Sequence, residues 1–262
     1  MLLAIDVGNT NIVLGVFDGD RLSQSWRLAT YRERTADELG MLVGQLFHHA
    51  GLRPAQVDGL IVASVVPPLT GMMRDMAVRY FGREPLVVDG RSRTGMPVLY
   101  EPPSDVGADR IVNGVAAYER YGRPRHAATI VVDFGTATTF DAITAAGEYL
   151  GGVICPGIQI SADALFQRAA RLPRVDVSRP ATVIGRTTVG SMQSGLFFGY
   201  VDMVDGIVRR MRAELAGDAG VQPVCVATGG MAGILVGETD VIDEVDQDLT
   251  LVGLKIIWDR NR

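Results

Sequence analysis

An apolar strand that breaks at an Asp-x-Gly turn and resumes as a second apolar strand occurs twice in this chain. No other feature constrains the fold as much. The first copy is Leu2-Leu-Ala-Ile-Asp6-Val7-Gly8-Asn9-Thr10-Asn11-Ile12-Val13-Leu-Gly-Val-Phe17, and the second is Thr129-Ile-Val-Val-Asp133-Phe-Gly135-Thr136-Ala-Thr138-Thr139-Phe-Asp141-Ala-Ile143. Glycine permits a turn in which backbone approaches a ligand closely. Asn9, Thr10 and Asn11 add short-armed donors beside the Asp6 carboxylate. Taken singly, such a hairpin is equally well an ordinary polar turn. Each copy also runs on to a later apolar strand ending in small polar residues, Leu60 to Ser64 and Val224 to Thr228. Duplication accounts for this, and two copies facing each other would put one Asp-x-Gly turn on each side of a cleft, each holding part of a nucleotide or its metal.

A length of 262 residues suits two halves of this kind, and an aliphatic-rich, aromatic-poor chain with 31 glycines suits a well-buried α/β enzyme. The net charge is −5 and basic residues form no run, so no nucleic-acid partner is expected. Arg171 to Arg179, interrupted by Pro173 and Asp176, reads as a solvated loop. No apolar run approaches the roughly 20 residues that span a bilayer. Asp6 follows Met1 too closely for a secretory signal, so a soluble, cytoplasmic protein without membrane contact is expected. Cys155 and Cys225 lack paired-ligand spacing and read as buried thiols.

Between the two copies, Arg21 to Arg27 alternates as a third strand. Thr35 and Glu38 make a capping box for a helix with Leu39, Leu42, Val43, Leu46 and Phe47 on one face, stopped at Gly51. His48 and His49 face solvent. Strand Leu60 to Ser64 follows, with a loop through Val65 to Pro68 and a helix near Leu69 to Tyr80. After the prolines at 102 and 103, a helix with Ile111, Val112, Val115 and Ala116 inward is expected to stop at Gly122. Asp109 and Arg110 fall in its first turn, where both can reach a ligand across the helix end. An acid there also compensates the helix dipole without any chemistry, an account that Arg110 fits less well. Beyond the second copy come a glycine-bracketed strand or turn at 151–157 and a helix from Ser161 to Ala170. A long helix after Thr188 follows, its Gly190, Gly195 and Gly199 suited to close packing against another backbone, and then a closing helix through Trp258. Two halves are expected, 1–120 and 121–262.

Six stretches in register resemble the ASKHA superfamily (actin, sugar kinases, Hsp70-type ATPases) and, within it, the type III pantothenate kinases. They are Asp6 to Thr10, Pro103 to Arg110, Asp133 to Thr139, Gly152 to Gly157, Thr188 to Gly195, and Thr228 to Gly230. The resemblance implies an α/β fold of two ribonuclease-H-like halves with a nucleotide cleft between them. It implies phosphorylation of pantothenate by ATP with Mg²⁺, and with K⁺ or NH₄⁺, opening coenzyme A biosynthesis. Position by position, Asp6, Val7, Gly8, Asn9, Thr10, Asn11, Ile12 and Val13 are similar to the first phosphate-binding turn, with Asp6 near magnesium, and Thr136 to a nucleotide contact. Tyr100, Gly107, Ala108, Asp109, Arg110 and Thr188 are similar to substrate contacts, Asp109 being the general base. Asp133 is similar to the potassium ligand. The resemblance also implies a homodimer in which Thr188 reaches the partner's pocket.

The chemistry itself asks for charge neutralisation, alignment and a base for the attacking hydroxyl. No Walker lysine motif or protein-kinase glycine loop is present. Two rivals share the scaffold, a non-catalytic transcriptional accessory factor and a kinase or ATPase of the same superfamily acting on another substrate. Asp6, Asp109 and Asp133 together favour the enzyme. The Gly107 to Arg110 loop favours pantothenate.

Overall fold

The computed structural model describes residues 1–216 and 221–262. Its chain divides into two compact units. The first comprises Met1–Pro97, Glu101–Ala116 and Leu249–Arg262, and the second comprises Val98–Tyr100 and Ala117–Asp248. The expected cut at residue 120 falls just beyond this boundary. The closing helix, which a linear reading leaves in the second half, belongs to the first unit.

In the first unit β1 (Leu2–Val7) pairs antiparallel with β2 (Asn11–Asp18), which pairs with β3 (Arg21–Ala29). On its other side β1 runs parallel to β4 (Gly59–Ser64), and β4 to the short β5 (Leu86–Val87), giving the order β3-β2-β1-β4-β5. Alternation dictates the faces. Leu3, Ile5, Val7, Ile12, Leu14 and Val16 point into one core with residues of α1 (Ala36–His49) and α2 (Pro67–Phe81). Each such side chain contributes about 1.5–3 kcal/mol when fully buried. A slip of one residue in β1 would turn Leu2, Ala4 and Asp6 into this core in place of Leu3, Ile5 and Val7, so burial fixes the register. The capping box forms as expected, the Thr35 N–H donating to Glu38 Oε2 at 2.8 Å and the Glu38 N–H to Thr35 Oγ1 at 3.2 Å. His48 and His49 are exposed. Pro67 and Pro68, expected in a loop, begin α2 instead, because the first helical positions need no intrahelical N–H donor.

α3 (Ala108–Ala117) does not stop at Gly122. It runs into a π-helical turn, Tyr118–Gly122, and a last turn α4 (Arg123–Arg125), ending where His126 takes a left-handed φ of 51°. The second sheet repeats the first. β6 (Thr129–Phe134) pairs antiparallel with β7 (Ala137–Ile143), and β7 with β8 (Tyr149–Pro156). β6 also pairs parallel with β9 (Val224–Thr228), and β9 with β10 (Glu244–Val245). Read from β8, the order β8-β7-β6-β9-β10 matches the first sheet strand for strand. The glycine-bracketed segment at 151–157 is thus edge strand β8 and the turn after it.

α5 (Ile158–Arg168), α6 (Thr188–Leu215) and α7 (Ala232–Leu235) complete the second unit. Phe197, Tyr200, Val201, Val204 and Val208 of α6 pack on Ile130, Val132, Phe134 and Phe140. Gly190 does approach backbone, a Cβ there lying 3.7 Å from Gly185 Cα. At Gly195 and Gly199 a Cβ would meet no described atom of this chain within 4 Å, and both glycines line an open groove. α8 (Leu249–Asn261) closes the chain against β1, β2 and β4, with Gly253 pressed on the Val112 backbone. Cys225 is buried and its thiol is pushed up to about 12 by desolvation. Cys155, expected buried, keeps partial exposure. Among the described residues, no helix is long and apolar enough to cross a membrane.

Candidate active site

The first Asp-x-Gly turn is closed by its own backbone. The Gly8 N–H donates to Asn11 O at 2.9 Å, while Asp6 sits opposite Val13 in the ladder. Thr30, at the end of β3, clamps the turn from outside. Its hydroxyl donates to Gly8 O at 2.8 Å and its N–H to Thr10 O at 2.9 Å. Asn9 and Thr10 are exposed, and Asp6, Gly8, Asn11 and Val13 half-buried. Val7 and Ile12 lie fully in the core, so only their backbone groups can face a ligand. Sequence reasoning did not find Thr30, since a threonine ending a strand carries no local signal.

The same unit brings the Asp109 loop beside this turn. The Val65 N–H donates to Val7 O at 3.1 Å, and a Cβ on Gly107 would lie 3.5 Å from Val65 Cγ1. The same Cβ would lie 2.5 Å from Asp109 Oδ1, so glycine at 107 makes room for that carboxylate. The Arg110 N–H donates to Asp109 Oδ1 at 2.8 Å, and Ala108 opens the helix that carries both residues. Burial holds the Asp109 pKa above the ordinary carboxylate range, against the opposing pull of the Arg110 N–H and guanidinium. Arg110 is itself buried.

In the second unit the turn is one residue tighter. The Gly135 N–H donates to Ala137 O at 3.1 Å, and Asp133 lies opposite Thr139 on β7 and Thr228 on β9. Gly229 leaves space beside the Asp133 carboxylate, and Gly135 lies at ordinary contact distance from it. A Cβ on Gly229, whose φ is +92°, would fall 2.6 Å from Asp133 Oδ1, and one on Gly135 would fall 3.5 Å from it. A Cβ on Gly157 would collide with the Thr136 carbonyl, so that carbonyl and the start of α5 are held together. A carboxylate oxygen beside space that glycine keeps open fits a hard cation. Among the described residues, no group of three or more His, Cys, Asp or Glu is placed to hold a metal ion. A cation here would therefore depend on backbone and ligand oxygens.

Thr136 is exposed and Tyr100 half-buried. Thr188 opens α6, exposed, and lines a groove of about 970 Å³ with Ser161, Gly195, Gly199 and Tyr200. The Tyr200 hydroxyl lies 3.0 Å from Ser161 Oγ and also bonds to Pro156 O.

Two sheets of one topology, each with an Asp-x-Gly turn at the same hairpin, define the duplicated ribonuclease-H-like fold of the actin, sugar kinase and Hsp70-type ATPase class. An inorganic polyphosphate/ATP-glucomannokinase from Arthrobacter sp. strain KM shares that fold at a TM-score of 0.52 and 15% identity, covering 100% of this chain and 99% of that one. A Campylobacter jejuni protein described as a conserved Baf family transcriptional activator shares it at a TM-score of 0.60 and 20% identity, covering 99% of this chain and 98% of that one. The family model of type III pantothenate kinase matches residues 2–210. A type III pantothenate kinase from Myxococcus xanthus is 58% identical over 261 residues, covering 100% of this chain and 99% of the relative. The chain belongs to the type III pantothenate kinase family.

Proposed function

We propose that this protein transfers the γ-phosphoryl group of ATP to the primary hydroxyl of pantothenate, giving 4′-phosphopantothenate and ADP, at the entry to coenzyme A biosynthesis. The observation that carries the reading is the Asp109 carboxyl, half-buried at the start of α3 beside the Asp6 turn and desolvated enough to raise its pKa, in a chain whose whole length aligns with type III pantothenate kinases. A carboxylate with a raised pKa is a better base than an exposed one. Asp109 accepts the proton as the pantothenate oxygen bonds to the γ-phosphorus and the bond to the ADP oxygen breaks. Gly107, Ala108 and Arg110 hold the substrate around it, and Tyr100 lines the pocket.

The turn from Asp6 to Val13, through its exposed residues and the Asn9, Thr10 and Asn11 side chains, orients the phosphates, and Thr136 contacts the nucleotide. Magnesium near Asp6 and potassium or ammonium at Asp133 would supply charge neutralisation when bound. The space that Gly229 leaves beside Asp133 supports the second assignment. The working form is a homodimer in which Thr188 completes the partner's pocket. The open groove at Thr188 and the exposed apolar residues Val183, Ile184 and Val189 support this reading. A cytoplasmic location belongs to the same proposal.

The test is ADP release by purified protein with magnesium and potassium, given pantothenate, a sugar panel or no acceptor. Release with pantothenate alone is expected, with 4′-phosphopantothenate as product. Release that ignores pantothenate would refute the assignment.

A further inference from the structure

The three residues Val98–Tyr100 group with the second unit although Pro97 and Glu101 on either side group with the first. What holds them is the edge strand β8. Val98 forms an isolated parallel bridge with Tyr149, and the Leu99 N–H donates to Tyr149 O at 2.8 Å. The Tyr100 ring lies over Gly151, where a Cβ would sit 3.2 Å from Tyr100 Cδ2 and where φ is +138°. Between these points the pairing with β7 shifts, Ala142 facing Gly151 but Ile143 facing Tyr149, so Leu150 is the extra residue of a β-bulge.

A bulge on an edge strand is free to slide unless something pins it. Here the pin is a buried polar pair. Tyr149 and Asp141 are both fully buried, and the Tyr149 hydroxyl donates to Asp141 Oδ1 at 2.7 Å. Asp141 Oδ2 accepts from Thr139 Oγ1 at 3.3 Å, and Thr139 stands opposite Asp133 on the adjacent strand. A polar track thus runs along one face of the sheet from the second Asp-x-Gly turn to the residue that carries the Val98–Tyr100 segment.

We propose that Tyr149 and Asp141 are positioning residues for pantothenate. Their hydrogen bond fixes the bulge, the bulge fixes the bridge to Val98 and Leu99, and the bridge sets where Tyr100 presents its ring. The proposal rests on the reading of Tyr100 as a pocket residue. Removal of the Tyr149 hydroxyl should then loosen the acceptor site while the nucleotide turns keep their geometry.

Steady-state kinetics of the wild type, Tyr149→Phe, Tyr100→Ala and the double variant test this. Tyr149→Phe should raise the KM for pantothenate about three- to tenfold, the range for one lost hydrogen bond, with the KM for ATP and kcat little changed. In the Tyr100→Ala background the same substitution should add nothing further. Additive effects in the double variant, an equal rise in both KM values, or an unchanged pantothenate KM in folded Tyr149→Phe would overturn the proposal. A Tyr100→Ala variant with a wild-type pantothenate KM would instead remove the pocket reading, and the proposal with it. If circular dichroism shows Tyr149→Phe to be unfolded, Tyr149→Phe with Asp141→Asn removes the hydroxyl without leaving a buried carboxylate, and the same criteria apply.

Discussion

The Thr30 hydroxyl donates to the Gly8 carbonyl at 2.8 Å, tying the end of the third strand to the first Asp-x-Gly turn. Thr30→Val keeps the N–H bond to Thr10 and nearly the same shape but loses this contact. The KM for ATP should rise about two- to tenfold, the range for one neutral hydrogen bond. The KM for pantothenate should move less. Initial-rate kinetics with each substrate varied in turn decide the matter, and an unchanged ATP KM would make the clamp dispensable.

Asp109→Asn keeps the acceptor for the Arg110 N–H but removes the carboxylate proposed as the base. Its kcat should fall by about 10²–10⁴. Gly107→Ala should lower kcat as well, by pushing a methyl group toward Asp109 Oδ1. Near-normal turnover in folded Asp109→Asn would reduce this carboxyl to a charge at the helix end.

The raised pKa of Asp109 fixes the sign of two pH effects. The base works only when ionised, so kcat/KM should fall on acidification through a value above the ordinary aspartate pKa of about 3.9. Stability runs the other way. The folded state holds this proton more tightly than the unfolded state, so the ionised carboxyl lowers stability above the folded pKa and the penalty vanishes below the unfolded one. Asp109→Asn should therefore be at least as stable as the wild type at neutral pH, with the difference shrinking toward pH 3. A melting series across that range measures it.

Gly229→Ala places a methyl group against Asp133 Oδ1 and asks alanine to adopt a φ of +92°. Activity in potassium should drop toward the level in sodium. An unchanged ratio of the two rates would argue against a monovalent cation at Asp133.

If Thr188 completes the partner's pocket, Thr188→Val should raise the KM for pantothenate several-fold, and activity per chain should fall on dilution below the dimer dissociation constant. Sedimentation run beside the assay would show whether activity follows the dimer. A fully active monomer would refute the shared pocket.

The duplication, the two Asp-x-Gly turns, the capping box at Thr35 and Glu38, and the helix that carries Asp109 were all legible in the sequence. Each depends on interactions among near neighbours: strand alternation, a cap three residues long, a short polar turn between two apolar strands. Other features were decided only when distant segments packed. α8 follows the second sheet in sequence but covers the first, because Leu251 and Trp258 pack on Gly15 and Gly59, on the sheet face opposite α1 and α2. Gly195 and Gly199 line an open groove that a helical period alone does not reveal. Thr30 on Gly8, Gly229 against Asp133, and Tyr149 on Asp141 join residues that no local period relates. A pattern within one element specifies which face is buried, but what meets that face depends on the rest of the chain.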